Sequence, residues 1–142
     1  MPENVWIEEL GVEVKDTVMA NLYGAYIHSH RLILLNDRLA PLQRRSTLLH
    51  ELGHAFYGHV ESSPRAEREA SEWGARQLIP ACEFDRLSKM YDSPVAVASE
   101  LGVLPRDVVN YVQWAKRAWD AENGPKLLLT FTAQGYNTRG FS

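Results

Sequence analysis

Cysteine is almost missing from this chain. Cys82 is the only one among 142 residues, so no disulfide can form within it. A reducing cytosol fits that usage, because small domains of oxidising compartments lean on such bridges. Long apolar runs are missing too: no stretch approaches the roughly 18 residues that read as a membrane span. The opening, Met1-Pro2-Glu3-Asn4-Val5-Trp6, has neither the positive segment nor the apolar run of a secretory leader. Positive charge is not in excess, and a net charge of −3 leaves no electrostatic footprint for nucleic acid. Internal repeats and low-complexity tracts are also lacking. These absences lead to the expectation of a cytoplasmic protein with no membrane contact. It should be one domain, or a core with an appended subdomain. A hydrophobic content of 45% is enough for a real core.

What stands out against this background is His50-Glu51-Leu52-Gly53-His54. Residues four apart on a helix lie one above the other on one face, so both imidazoles can reach one metal ion. Glu51 sits about 100° around the helix from His50 and can lean toward a water without entering the metal's own shell. Two ligands, one base and an open position are what a zinc peptidase needs. The same five letters also describe a surface helix with two solvated histidines. The surroundings favour the metal. Pro41 stands where a helix start tolerates proline, and Leu42, Leu49, Leu52 and Phe56 recur at helical spacing. Gly53 weakens a helix but lets another backbone approach closely, and Gly58 marks a stop.

Catalytic zinc usually takes three protein ligands. Ser63 can cap a second helix with Pro64 at its first position, running to Leu78. The short connection makes the two helices antiparallel neighbours, and His54 and Glu69 are nearly equidistant from the turn at Ser62. Glu69 is therefore the expected third ligand. Glu67 lies about 200° around the helix from it and Glu72 about 300°, so Glu72 is a candidate outer partner or the true ligand. Each of these glutamates could instead be a solvated charge in the run Arg65–Arg76.

With HELGH followed by Glu69-Ala70-Ser71-Glu72-Trp73-Gly74-Ala75-Arg76-Gln77-Leu78-Ile79-Pro80, the chain resembles the ImmA/IrrE family of metallopeptidases. The likeness also takes in the lead-in Arg44–Leu49 and the later His59. It implies Zn²⁺ held by His50, His54 and Glu69, with Glu51 as base. It implies an α+β fold: a zincin-like, gluzincin-type core with a small antiparallel sheet beside the HExxH helix, and a helix-turn-helix-like helical subdomain. Ser71, Trp73, Gly74, Gln77 and Ile79 depart from the family's usual residues, but none removes a ligand or the base. The expected protein substrate is a helix-turn-helix repressor or an antitoxin whose cleavage relieves repression in a phage, a mobile element or a stress response.

Around the motif, Val5–Gly11 reads as a short helix or arm and Val12–Val14 as a strand. Tyr23–Ile27 and Arg31–Leu35 read as a hairpin about His28-Ser29-His30. In zinc peptidases of this kind a strand before the metal helix forms the sheet edge, and a free edge can hold an extended peptide. Leu32, Ile33, Leu34 and Leu35 are the expected substrate strand, unless that strand lies inside the sheet. His28 and His30 read as solvated turn histidines. His59 is a candidate outer partner of a ligand, or a residue that closes the helix end. Tyr26 and Tyr57 are candidate oxyanion donors or ordinary packing groups.

Ser93-Pro94, Gly102 and Pro105 punctuate two further helices, with Ala98, Val108 and Tyr111 where a helix-turn-helix places its small and apolar residues. Arg106, Asn110, Gln113, Lys116 and Arg117 could face DNA, but few cations remain for phosphates. The expected division is a core over 1–91, a helix-turn-helix-like part over 92–122, and a tail over 123–142. In that tail Leu127–Phe131 can add a strand and Gln134–Ser142 reads as loose. The function expected is a zinc endopeptidase. The alternative is a non-catalytic DNA-binding or repressor-binding module with structural zinc, or a metal-stabilised, non-catalytic partner of a toxin–antitoxin pair.

Overall fold

A computed structural model describes residues 2–123, 127–131 and 136–140. It is a mixed α+β chain that divides into two compact units, Met1–Leu78 and Ile79–Ser142. The division falls where the second motif helix ends, at residue 78.

The first unit opens with α1 (Pro2–Leu10), then β1 (Glu13–Thr17), β2 (Gly24–Ile27), a 3-10 turn at His28–His30, and β3 (Leu32–Asn36). Arg31 takes a left-handed conformation, φ 48°, to close the hairpin between β2 and β3. The sheet order is β1-β3-β2, with β1 parallel and β2 antiparallel to β3. The sheet is therefore mixed, not antiparallel as expected. β3 is its centre, paired on both sides: Ile33 faces Val14 on one strand and Tyr26 on the other. Ile33 and Leu35 are fully buried. Leu32–Leu35 consequently has no free backbone edge to offer a peptide, and that expectation is corrected. The outer strands of this sheet are β1 and β2.

Two helices complete this unit, α2 (Pro41–Tyr57) and α3 (Pro64–Leu78). The starts and stops are the punctuation read from sequence. Pro41 begins α2, and the Gln43 side chain accepts from the Ala40 N–H at 3.1 Å. Gly58 ends it with φ +67°. The Ser63 hydroxyl accepts the Ala66 N–H at 3.0 Å and caps α3. Leu49, Leu52, Ala66, Ala70 and Trp73 are buried, while Leu42 and Phe56, the two ends of the expected stripe, stay partly exposed. Two glycines let the helix backbones touch. A Cβ on Gly53 would stand 2.7 Å from the Ala70 carbonyl oxygen, and one on Gly74 would stand 3.2 Å from the His50 nitrogen. α1 closes over the pair: Arg45 donates to buried Glu3 at 2.9 Å, and Trp6 meets Phe56 and Trp73 edge-on.

The second unit contains α4 (Ala81–Met90), α5 (Pro94–Leu101) and α6 (Pro105–Asn123), then β4 (Leu127–Phe131) paired antiparallel with β5 (Tyr136–Gly140). The sequence reading assigns no element to α4. β5 occupies part of the segment expected to be loose; its flanks at 134–135 and 141–142 lie outside the described residues. Gly102 has φ +71° with open space around it, so its glycine serves the turn rather than a contact. Val97, Ala98, Val108 and Val112 are fully buried, and of these the spacing anticipates Ala98 and Val108.

Candidate metal centre

The i, i+4 spacing on α2 does bring the two imidazoles together. His50 Nε2 and His54 Nε2 are 3.1 Å apart. The third group to join them is Glu67. Its Oε1 lies 3.0 Å from His50 Nε2 and its Oε2 3.1 Å from His54 Nε2. These three side chains form the one cluster of potential metal-ligating groups among the described residues. Glu69, the expected ligand, is elsewhere: its Oε1 lies 3.1 Å from His59 Nε2. The physical reason is angular. Glu69 has the right height along the helix pair, but Ala70 is the residue pressed against Gly53. At about 100° per residue, Glu67 falls some 60° to one side of Ala70 and Ser71 about 100° to the same side. Glu69 falls about 100° to the other.

Ser71 confirms the phase, since its Oγ lies 3.0 Å from His50 Nδ1. Sequence reasoning placed Ser71 only as a departure from the family pattern. The signal for both residues was present: Ala66, Ala70 and Trp73 define the packed stripe, and Glu67 and Ser71 share its flank. Glu72, the other candidate, is buried on α3 and is not one of the three clustered donors.

The cluster fits zinc. Donors held tetrahedrally at about 2.0–2.1 Å from an ion stand roughly 3.3 Å from one another. The two imidazole nitrogens are 3.1 Å apart and each meets a different Glu67 oxygen at 3.0–3.1 Å, so the three side chains converge within reach of one ion. Two imidazoles and a carboxylate are donors that zinc accepts readily. Glu67 is held below the usual carboxylate range by the two imidazoles and its hydrogen bonds, against the pull of burial, so it is ready as an anion. Burial lowers the His54 pKa, favouring the neutral imidazole that a metal requires.

A cleft opens on this cluster. Glu51, His54 and Glu67 line it, with His59 and the turn Val60-Glu61-Ser62 at one end. Gly24, Ala25 and Tyr26 of β2 form its wall. Gly24 is needed there, because a Cβ would meet Thr47 Cγ2 at 2.8 Å and the Leu34 carbonyl at 3.0 Å. Glu51 is buried, and burial pushes its carboxyl up to about 8, with the charge of Glu67 adding to the rise. Tyr26 donates or accepts at His28 Nδ1, 2.9 Å away. His28 is thus tied to a cleft residue rather than freely solvated. Tyr57 is partly exposed and stacks on the His59 ring.

The family model for peptidase M78, described as an IrrE N-terminal-like domain, matches residues 7–110. The chain belongs to this ImmA/IrrE family. The match spans the whole motif pair and stops inside α6, so both HELGH and the α3 segment lie within it. Among curated proteins, no sequence matches the chain. Membership makes this a metallopeptidase-like protein, in agreement with the donor set on α2 and α3. No helix among the described residues is long and apolar enough to cross a membrane.

Proposed function

We propose that this family member is a zinc-dependent endopeptidase of the cytoplasm. His50, His54 and Glu67 would be its three zinc ligands and Glu51 its general base. The observation that carries the reading is the convergence of three donors at ligand spacing beside a buried carboxylate lining the same cleft. When bound, zinc supplies a Lewis acid that polarises a peptide carbonyl and brings the pKa of water to about 7. Glu51 takes the proton from the attacking water and hands it to the leaving nitrogen. Burial raises this carboxyl in the metal-free protein, and a bound dication beside it would favour the ionised form that a base requires. Such a base has no use in a purely structural site, which is the argument against the non-catalytic alternative.

The free edge of β2 replaces β3 as the strand that receives substrate. Gly24, Ala25 and Tyr26 line the cleft, and strand addition would lay an extended peptide past Glu51. A helix-turn-helix repressor or an antitoxin is the proposed substrate, on the strength of the family resemblance. DNA binding by α5 and α6 finds no support in charge: the formal balance of the whole chain is −3.

The test is co-expression with a repressor encoded next to this chain, comparing wild type with Glu51→Gln. Wild type should cleave, and the variant should bind one zinc per chain yet cleave about 100- to 10,000-fold more slowly. Full activity in Glu51→Gln would refute the base, and loss of its zinc would refute the placing of Glu51 outside the ligand set.

A further inference from the structure

α2 ends in a way that carries chemistry as well as geometry. The His59 N–H donates to the His54 carbonyl at 2.9 Å, and the Gly58 N–H to the Ala55 carbonyl at 3.1 Å. With Gly58 left-handed, these two bonds make a Schellman cap. In that motif the residue after the glycine folds back on the residue whose carbonyl it caps, usually through an apolar contact. Here the two residues are histidines. His54 Nδ1 and His59 Nδ1 are 2.9 Å apart. His59 Nε2 lies 3.1 Å from Glu69 Oε1, and Glu69 Oε2 lies 3.5 Å from Arg65 Nε. Tyr57 stacks on the His59 ring with the planes 9° apart, which fixes the ring's tilt.

We infer that His59 and Glu69 are positioning residues that fix the tautomer and orientation of His54, an outer partner chain built into the helix cap. This rests on the zinc reading above. If His54 turns its Nε2 lone pair toward Glu67 and His50, its proton sits on Nδ1. His54 Nδ1–H then donates to His59 Nδ1, and His59 Nε2–H donates to the Glu69 carboxylate. Every proton in the chain has one acceptor, and the sequence ends on an anion. Both ring nitrogens of His59 are engaged, so it has no donor left for a substrate carbonyl although it lines the cleft. His50 has a separate and simpler partner, Ser71 Oγ. The two ligand histidines are thus held by different means: one by a hydroxyl on α3, the other by the two-residue chain of His59 and Glu69, which starts at the end of its own helix.

The experiment measures zinc affinity by chelator competition, and the visible absorption of the cobalt-substituted protein. It compares wild type with His59→Ala, Glu69→Ala, Glu69→Gln and His50→Ala. Loss of an outer partner typically weakens metal binding about 10- to 100-fold. His59→Ala and Glu69→Ala should each fall in that range, keep one metal per chain and shift the cobalt bands. Glu69→Gln, whose amide oxygen still accepts from His59, should stay close to wild type. His50→Ala should lose the site. Glu69 is partly exposed, so Glu69→Ala tests the chain even where His59→Ala folds poorly. Wild-type affinity and wild-type cobalt bands in Glu69→Ala would overturn the inference while leaving the zinc reading intact. A Glu69→Ala protein as metal-free as His50→Ala would overturn it in favour of direct ligation. A wild type that binds no zinc would sink the zinc reading itself.

Discussion

The helix pair α2–α3 and the helix pair α5–α6 are written in the same punctuation and do different things. Each first helix begins on a proline and ends on a left-handed glycine, Gly58 or Gly102. Each second helix begins on a proline, Pro64 or Pro105. The difference lies in what fills the seam. α5 and α6 bury Val97, Ala98, Val108 and Val112. α2 and α3 put glycine and alanine there, Gly53 against Ala70 and Gly74 against His50, so the backbones close up. Close backbones bring the flanking side chains within reach, and those flanks carry histidine, glutamate and serine. A pair that meets through branched apolar side chains spends them on cohesion. A pair with small residues there can converge polar groups at its rim.

Four changes break or sharpen this contrast. The largest effect is expected from Glu67→Ala, which removes the carboxylate between the imidazoles. Zinc affinity should drop by more than the roughly 100-fold ascribed to an outer partner, read by chelator competition. Glu69→Ala, measured beside it, should lose less.

Second comes Glu51→Gln in the metal-free protein, followed by thermal melts against pH. The Glu51 carboxyl is ordinary when unfolded and pushed up to about 8 when folded. Between those values the folded state holds the proton more tightly, so the Glu51 contribution to stability falls as pH rises from about 4.5 to 8. The glutamine variant escapes that penalty. It should match wild type near pH 4 and exceed it at pH 8 by on the order of a few kcal/mol. Equal slopes for the two proteins would remove burial as the cause.

Third, Gly53→Ala forces a Cβ toward the Ala70 backbone. The expected cost is roughly 1–3 kcal/mol of stability, together with weaker zinc binding, because the helices must part. Urea melts and metal titration read the two effects. Fourth, Val108→Ala empties part of the α5–α6 seam, at roughly 1–2 kcal/mol. It should leave zinc affinity at the wild-type value. A matching loss of zinc would show that the contrast between the pairs is false.

Much of this was readable in the letters, and the failures are instructive. Helix limits followed from Pro41, Gly58, Ser63, Pro64, Ser93, Gly102 and Pro105, because each of these residues acts locally. Glu69 was chosen by its distance from the turn, which gives height along the helix and ignores rotation about it. The packed stripe Ala66, Ala70 and Trp73 fixes that rotation and points to Glu67 and Ser71 instead. The substrate strand failed for another reason. β3 pairs directly with β1, from which β2 separates it in sequence, and such a non-local partner leaves no mark in the strand's own residues.

By itself the sequence determined the two imidazoles and the carboxylate between them in the chain, since an i, i+4 pair on a helix needs no neighbour to share a face. It also determined the ends of α2, α3 and α5, and the family. Tertiary structure alone decided which glutamate meets those imidazoles, which strand keeps a free edge, and that His59 and Glu69 stand behind His54. Each of those depends on how one element rotates or pairs against another. That is set by the close contact of Gly53 with Ala70 and by the mixed sheet, not by any segment alone.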